Sequence, residues 1–459
     1  FQAEDGIRDS VASRGLGDVY KRQVRIIRMG LDDTDHPELG CTTDSFDYLL
    51  HSLDSQVSGF KLIERRLVRL WPFAARRTRG NGALSAIIQI PSGQRDLFDS
   101  VCQKWFEGIL RETAVFPSSP VHAAPTLLIS ESDLPEEWYW SAVRQHVDLE
   151  PRLREIHSHS CVMHTGDESW GAVGASAAMA WQPNEHSTWE LISWRDESMI
   201  GKSRKVSSRA VREMERQHPD TFVNRDPTAD RGLIAPRTPC PVLYGIRGST
   251  AQCVEDAHRW LQSRTDVEQS PRWAVHRTNQ LSDDHVRGVS SGTVITFPME
   301  TKGAHSHISV LSEGIRADLV AFSEGGPVNK LLRRLVVGDR IAWVGLNSPD
   351  GSVHLERLAM VDCVPRVVSR PSCCGRTMRS AGAGQTLRCQ FCGSNAERTW
   401  VSQDLYLGDI DMVDHWSEPH PSNRRHLARP LQLSTPQRLS LIHISEPTRR
   451  YAISYAVFC

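Results

Sequence analysis

Three carboxylates in four positions, Asp32-Asp33-Thr34-Asp35, come directly after the β-branched run Val24-Arg-Ile-Ile-Arg-Met-Gly-Leu31. Like charges this close are costly unless a cation or solvent relieves them. Oxygen ligands at a strand end suit Mg²⁺, which binds phosphates at the same time; a solvated acidic turn is the alternative. The residues after the turn bear on the choice. Gly40-Cys41-Thr42-Thr43 leads into Phe46, Leu49, Leu50 and Leu53, spaced i, i+3, i+4, i+7 as on an amphipathic helix. Thr42 or Thr43 is the expected N-cap. A helix N-terminus beside a carboxylate-held cation is a polyphosphate site, and the pair predicts phosphoryl transfer.

Other segments carry weaker signals. Gly80-Asn81-Gly82, after the basic Arg76-Arg77-Thr78-Arg79 and before an expected strand Ala83–Ile90, forms either an anion-cupping loop or a plain hairpin turn. Gly171 and Gly174 open a small-residue helix, where close packing and nucleotide contact are both available readings. Gly201-Lys202-Ser203 is not a P-loop, because the glycine that motif needs at 196 is Asp. His157, His159 and His164 read as loop or surface histidines. Cys373-Cys374 and Cys389-x2-Cys392 gather four thiols as in a zinc ribbon, but the first pair is adjacent. That pair is expected to give a distorted or three-coordinate site.

These residues need several domains to position them. A chain of 459 residues suggests about three or four. Apolar residues at 39% and charged residues at 24% are ordinary for a folded chain, and no apolar run reaches the ~20 residues of a membrane helix. The net charge of −1 excludes a histone-like binder, although 47 of the 54 basic side chains are Arg, which suits phosphates and bases as well as a GC-rich genome. Clustered rather than spread cysteines point to a reducing cytoplasm. Residues 1–23 and 436–459 read as adapter-derived sequence foreign to the protein. Between them the fold class is α/β and α+β, multidomain. Residues 24–90 and 151–285 flank 91–150, which reads as a separate small α/β unit. Residues 286–366 are short strands with a helix before the fourth, the order of an OB-fold barrel. Trp343, Arg316 and His307 are candidates for its RNA-facing side. A zinc ribbon occupies 367–398, and a basic tail 399–435.

The segment GLDDTDHPELGCTTDSFDYLL resembles the opening of the archaeal isoleucine-tRNA 2-agmatinylcytidine synthetases, which modify the minor, CAU-anticodon isoleucine tRNA. Thr78–Ala83, the stretch "CPVLYGIRG" at 240–248, and Arg424-Arg425-His426-Leu427-Ala428-Arg429-Pro430-Leu431 resemble later family motifs in the same order. The resemblance covers about 24 to 432. It implies a kinase-like catalytic domain with an inserted ferredoxin-like domain at 91–150. It also implies that ATP phosphorylates the C2 oxygen of the wobble cytidine and that agmatine displaces the phosphate. Asp32, Asp33 and Asp35 would then hold Mg²⁺ and nucleotide, and Thr42 would be the phosphorylated residue. Thr43, Gly80, Asn81, Gly82, Gly171 and Gly174 would contact the cofactor. Asp226, Tyr244, Arg247, Arg424, Arg425 and His426 would meet agmatine or RNA, with Asp220 also eligible. Cys373, Cys374, Cys389 and Cys392 would hold Zn²⁺. Two rivals are another ATP-dependent kinase or ligase using the same front half, and a non-catalytic RNA-binding protein.

Overall fold

The computed structural model describes residues 24–36, 40–77, 80–116, 122–364, 367–369, 371–382, 385–396, 401–402 and 415–436. The two terminal stretches expected to be foreign lie outside these, except residue 436, as does most of 399–414. Two compact units emerge: residues 1–287 with 420–430, and 288–419 with 431–459.

The first unit is built on one nine-stranded sheet. Its first half contains β1 (Val24–Asp32), α1 (Thr42–Gln56), β2 (Lys61–Arg69), β3 (Gly82–Pro91), α2 (Arg95–Ala114), β4 (Thr126–Ser130), α3 (Glu137–Arg144), α4 (Leu149–Ser158), β5 (Val162–Thr165) and α5 (Gly171–Ala180). Its second half contains β6 (Thr188–Trp194), α6 (Ser208–Gln217), β7 (Thr221–Phe222), β8 (Arg225–Asp226), β9 (Arg231–Gly232), β10 (Val242–Gly248), α7 (Ala251–Gln262) and β11 (Arg272–Thr278). The strand order is β5-β4-β1-β3-β2-β11-β6-β10-β7. All neighbours are antiparallel except β2 and β11, whose parallel pairing of Arg66 with Arg277 and Leu67 with Thr278 joins the halves. β8 and β9 form a separate short ribbon.

Alternation along β1 explains the layering. Ile27, Met29 and Leu31 are fully buried in one core with Phe46, Leu49, Leu50 and Leu53 of α1 and Phe98, Val101, Cys102 and Phe106 of α2. Gly30 points the other way, where a Cβ would lie 2.4 Å from the Ala175 carbonyl oxygen. The small residues of α5 thus let that helix lie directly on β1 and β3.

Residues 91–150 are not an insert with a core of their own. β4 hydrogen-bonds to β1 over Arg28–Asp32, and α2 shares the core just described. The physical break in this unit lies instead near α5, between a half ending at β5 and a half beginning at β6.

The second half has strand order β11-β6-β10-β7 with α6 after β6 and α7 after β10. Within it Tyr244 and His258 are buried and paired, the Tyr244 hydroxyl lying 2.9 Å from His258 Nδ1. Burial, then the Arg259 charge, lowers the His258 pKa from 6.5 to about 4. Below about pH 6.5 the unfolded chain takes up a proton that the folded chain refuses. Stability is therefore lost as pH falls from about 6.5 to about 4, by at most about 3 kcal/mol from this residue. Chemical unfolding across that window should show the decline, and His258→Gln should flatten part of it.

The second unit is a barrel. β12 (Ser290–Val294), β13 (Met299–Glu300), β14 (Ser306–Ser312), β15 (Ile315–Ala321), α8 (Pro327–Leu332), β16 (Arg340–Asn347) and β17 (Val353–Asp362) occur in that order. The path β12-β16-β17-β15-β14 closes because β12 also pairs with β14. Only β15 and β17 run parallel. Val310, Leu319, Leu331, Ile341 and Leu358 fill the barrel. Trp343, expected on the RNA-facing side, is 4% exposed and belongs to this core, whereas Arg316 is exposed.

Candidate active site

β1, between β4 and β3, carries the acidic turn at its C-terminal end. Asp33 adopts a left-handed backbone (φ 61°), so consecutive carboxylates diverge instead of alternating as in a strand. Asp32 Oδ1 accepts the Asp33 backbone N–H at 2.8 Å, and Asp33 Oδ2 accepts the Ala124 N–H at 3.1 Å. Asp35 turns to α1, where the Thr42 hydroxyl donates to its Oδ1 at 3.2 Å. Burial first, then the Asp33 charge, pushes the Asp32 carboxyl well above its ordinary range. Burial and then Asp35 push Asp33 to about 7, against the Ala124 N–H and the charges of Arg76 and His122.

The expected N-cap is displaced by one residue. Cys41 occupies it with extended backbone, its carbonyl accepting from Asp44 and Ser45, so Thr42 is the first helical residue. Its hydroxyl caps nothing and is directed to Asp35. Thr43 is held by its surroundings, its Oγ1 3.0 Å from Cys41 Sγ and accepting from Trp194 Nε1 at 3.3 Å. Arg272 reinforces the same joint, ion-paired with Asp44 and Asp47 and stacked 4.1 Å over Tyr48.

The N-terminus of α5 closes the other side. A Cβ on Gly171 would lie 2.7 Å from the Asp32 carbonyl oxygen, and one on Gly174 would lie 1.8 Å from Asp32 Oδ2. Both glycines therefore exist for close packing on the acidic turn, and Gly174 also lines the cleft beside it. That cleft is lined by Asp32, Asp33 and Arg76 together with Leu70, Trp71, Ala142, Val147 and Val173. Its apolar wall with a few polar groups suits a nucleotide. Asn81 and Gly82 also line it. Asn81 is left-handed (φ 43°), and its side chain donates to the Trp71 carbonyl at 2.8 Å, anchoring the loop. Trp71 and Trp170 wall the cleft and were not among the residues expected from the sequence; the one available signal was Trp170 immediately preceding the Gly-x-x-Gly.

The donor set, hard carboxylate oxygens, fits Mg²⁺. Among the described residues, no three carboxylate oxygens of the turn lie within 4.8 Å of one another. Asp32 and Asp33 line the cleft while Asp35 serves Thr42. One or two carboxylates completed by phosphate oxygens is the usual Mg²⁺ arrangement.

A second polar centre lies where the halves of the sheet meet. Glu190 pairs with Arg69 (3.4 Å) and Arg247 (3.3 Å), and Arg247 also donates to Gln280 at 2.8 Å. Gly80 is glycine because Arg69 crosses it: a Cβ there would sit 2.3 Å from Arg69 Nη1. His426 borders this pair with its side chain exposed, its Nε2 lying 3.3 Å from where a Gly80 Cβ would be.

The expected basic tail is thus not a loose tail at 420–430. Ser422 N–H donates to Asp226 Oδ2 at 3.1 Å, Leu281 N–H to the His426 carbonyl at 3.0 Å, and Leu427 enters the core with Trp138 and Trp181. Arg425 and His426 are shared by two further clefts, one with Arg247, Gln280 and Arg424, the other with Arg69, Arg77 and Gly80. No carboxylate lines either.

Two expected agmatine contacts are not brought to any of these clefts. Asp226 is buried and satisfied by Thr228 and Ser422, which hold its carboxyl well below the usual range although burial alone would raise it. Tyr244 is buried against His258 and Gln262.

In the second unit, the four thiols of Cys373, Cys374, Cys389 and Cys392 converge within 4.8 Å. The adjacent pair manages this because Cys374 is left-handed (φ 51°) ahead of Gly375 (φ 71°), which turns its side chain back. The expected distortion to three ligands is therefore absent from the geometry. Cys373 Sγ lies 3.9 Å from Cys374 Sγ and 3.4 Å from Cys392 Sγ, near the ~3.8 Å that tetrahedral Zn–S bonds of about 2.3 Å require.

Comparison with known proteins agrees with the break found near α5. The family described as TiaS TCKD domain matches residues 28–165, and that described as TiaS FLD domain matches 170–285. The 2-agmatinylcytidine synthetase TiaS of Cenarchaeum symbiosum, named for the minor isoleucine tRNA, is 30% identical over 440 residues, 88% of this chain and 92% of that protein. The enzyme of the same name from Staphylothermus marinus is 28% identical over 89% of this chain and 93% of its own length. Among solved structures, a complex of TiaS with that tRNA and ATP superposes with a TM-score of 0.77 at 25% identity, covering 90% of this chain and 98% of the other. Similarity of this extent, running through both units and the residues of the acidic turn, places the chain in the isoleucine-tRNA 2-agmatinylcytidine synthetase family.

Proposed function

We propose that this protein forms 2-agmatinylcytidine at the wobble cytidine of the minor, CAU-anticodon isoleucine tRNA, using ATP and agmatine, in the cytoplasm. The observation that carries the reading is the buried Thr42 hydroxyl donating to Asp35, in the acidic turn whose Asp32 and Asp33 line the cleft, in a chain of this family. ATP occupies the cleft, its base toward Leu70, Trp71 and Val173 and its phosphates toward Asp32 and Asp33. Mg²⁺, held by those two carboxylates, supplies charge neutralisation when bound. Asp35 accepts the proton of Thr42 Oγ1 as that oxygen takes the γ-phosphoryl group. The phosphoryl group passes to the cytosine C2 oxygen. The primary amine of agmatine then adds at C2, and phosphate leaves with that oxygen. The cytidine must leave its stack to be reached.

The subdivision of the fold supports this division of labour. The order β11-β6-β10-β7, with helices after the first and third strands in sequence, is that of a ferredoxin-like domain. It begins near 170, and residues 24–165 supply the kinase-like part. The closed five-stranded barrel with α8 before its fourth strand is read as an OB-fold, and the four-thiol cluster as a zinc ribbon. Arg424 and Arg425 are assigned to the RNA backbone, since their clefts have basic and no acidic walls.

Incubation of the protein with ATP, agmatine and the CAU-anticodon isoleucine tRNA, and then mass spectrometry of the nucleosides, should reveal the modified cytidine. An unmodified cytidine with folded protein would count against the reading.

A further inference from the structure

Arg76 lies on the loop before β3, among the residues lining the large cleft beside Asp32, Asp33 and Trp170. Its guanidinium is stacked 5.1 Å over the Trp170 ring, the residue capping α5. Its Nη2 donates to the Glu168 carboxylate at 3.1 Å and to the His122 carbonyl at 3.2 Å. Glu168 is tied in turn to the His122 ring, Nε2 to Oε2 at 3.1 Å. The Arg76 Nε is buried and has no hydrogen-bond partner among the described residues. A guanidinium oriented by an aromatic plane on one side and a carboxylate at one end, on a residue lining the cleft, is pre-organised for a phosphate.

We propose that Arg76 is the fixed phosphate clamp of this cleft, binding the β- and γ-phosphates of the nucleotide, and that Glu168 is the positioning residue that holds it there. The proposal rests on the reading of the cleft as the ATP site. The clamp and the acidic turn both line this cleft. Arg76 neutralises phosphate charge from the side facing Trp170, while Asp32 and Asp33 approach from β1. Glu168 fixes the fork at one terminal nitrogen and leaves the remaining donors for phosphate oxygens.

Equilibrium binding of a non-hydrolysable ATP analogue and of AMP to the full-length protein, with Mg²⁺ present, separates the possibilities. Failure of the unaltered protein to bind the ATP analogue would overturn the nucleotide reading of the cleft itself. Given that binding, Arg76→Gln is expected to weaken the ATP analogue about tenfold or more and leave AMP within about twofold, since AMP lacks the clamped phosphates. Glu168→Gln should act in the same direction by about threefold, with Arg76→Lys falling between Gln and the unaltered protein. Unchanged ATP-analogue binding in Arg76→Gln would overturn the clamp. A parallel loss of AMP would also overturn it, because that marks collapse of the cleft. Unchanged binding in Glu168→Gln would remove its positioning role.

Discussion

Thr42→Ala is expected to abolish formation of the modified nucleoside, a loss of about 10³-fold or more, with binding of an ATP analogue and of tRNA kept within about twofold. The substitution removes one hydroxyl that caps no helix and donates to Asp35. The loss is therefore chemical and not structural. Thr42→Ser should recover part of the rate, since it restores the oxygen without the methyl group that fixes its rotamer. Asp35→Asn should slow the reaction about 10²- to 10⁴-fold by removing the proton acceptor. Single-turnover assays read by nucleoside mass spectrometry give these rates directly. Full activity in Thr42→Ala would reject the phosphorylated-Thr assignment while leaving the cleft and its ligand untouched.

Gly174→Ala should be strongly damaging, since the closest Cβ approach among the described glycines is here. The added Cβ would sit 1.8 Å from Asp32 Oδ2, and both partners are held, one in a buried helix and the other at a strand end. Either α5 retreats from β1 or Asp32 is driven into the cleft. Overpacking of this kind costs typically about 1–3 kcal/mol and occasionally more. It falls here on a carboxylate assigned to the nucleotide site, so ATP-analogue affinity should drop together with the unfolding midpoint. Ala178→Gly, further along the same buried helix and away from Asp32, is the control. It should cost only about 1 kcal/mol of helix propensity plus lost packing, and leave affinity unchanged. Similar affinity losses in both variants would mean that the acidic turn does not depend on this contact.

Much of this site could be read from local pattern. The β-branched run before Asp32 became β1, and Phe46, Leu49, Leu50 and Leu53 do form the buried face of α1. The strand expected at 83–90 spans Gly82–Pro91. What failed were matters of long-range pairing. The apolar run of β4 could belong to any sheet, and only its register against β1 shows that 91–150 is no insert. Asp226 carries no sequence mark distinguishing a ligand-binding carboxylate from one closing a turn onto Thr228 and Ser422. The adjacent cysteines looked incompatible with four ligands because the left-handed backbone at Cys374 is not encoded by its residue type. The segment at 420–430 looked like a solvated tail because eleven residues without periodicity give no sign of the core they enter.

That returning segment has a consequence for how the protein comes into being. On the ribosome, the first 287 residues emerge about 130 residues ahead of His420. At about 5–20 residues per second the interval is roughly 7–25 s. Throughout it, the clefts at Arg69 and Arg247 lack the wall that Arg425 and His426 supply, and the Trp138–Trp181 cluster lacks Leu427. Nascent chains therefore carry an unfinished catalytic unit until the barrel has been made. A transcript or polypeptide cut short within the second unit yields a front half whose basic clefts have lost a wall. Completion of the first unit is in this sense gated by translation through residue 430, and partial products are withheld from the reaction by their own incomplete core.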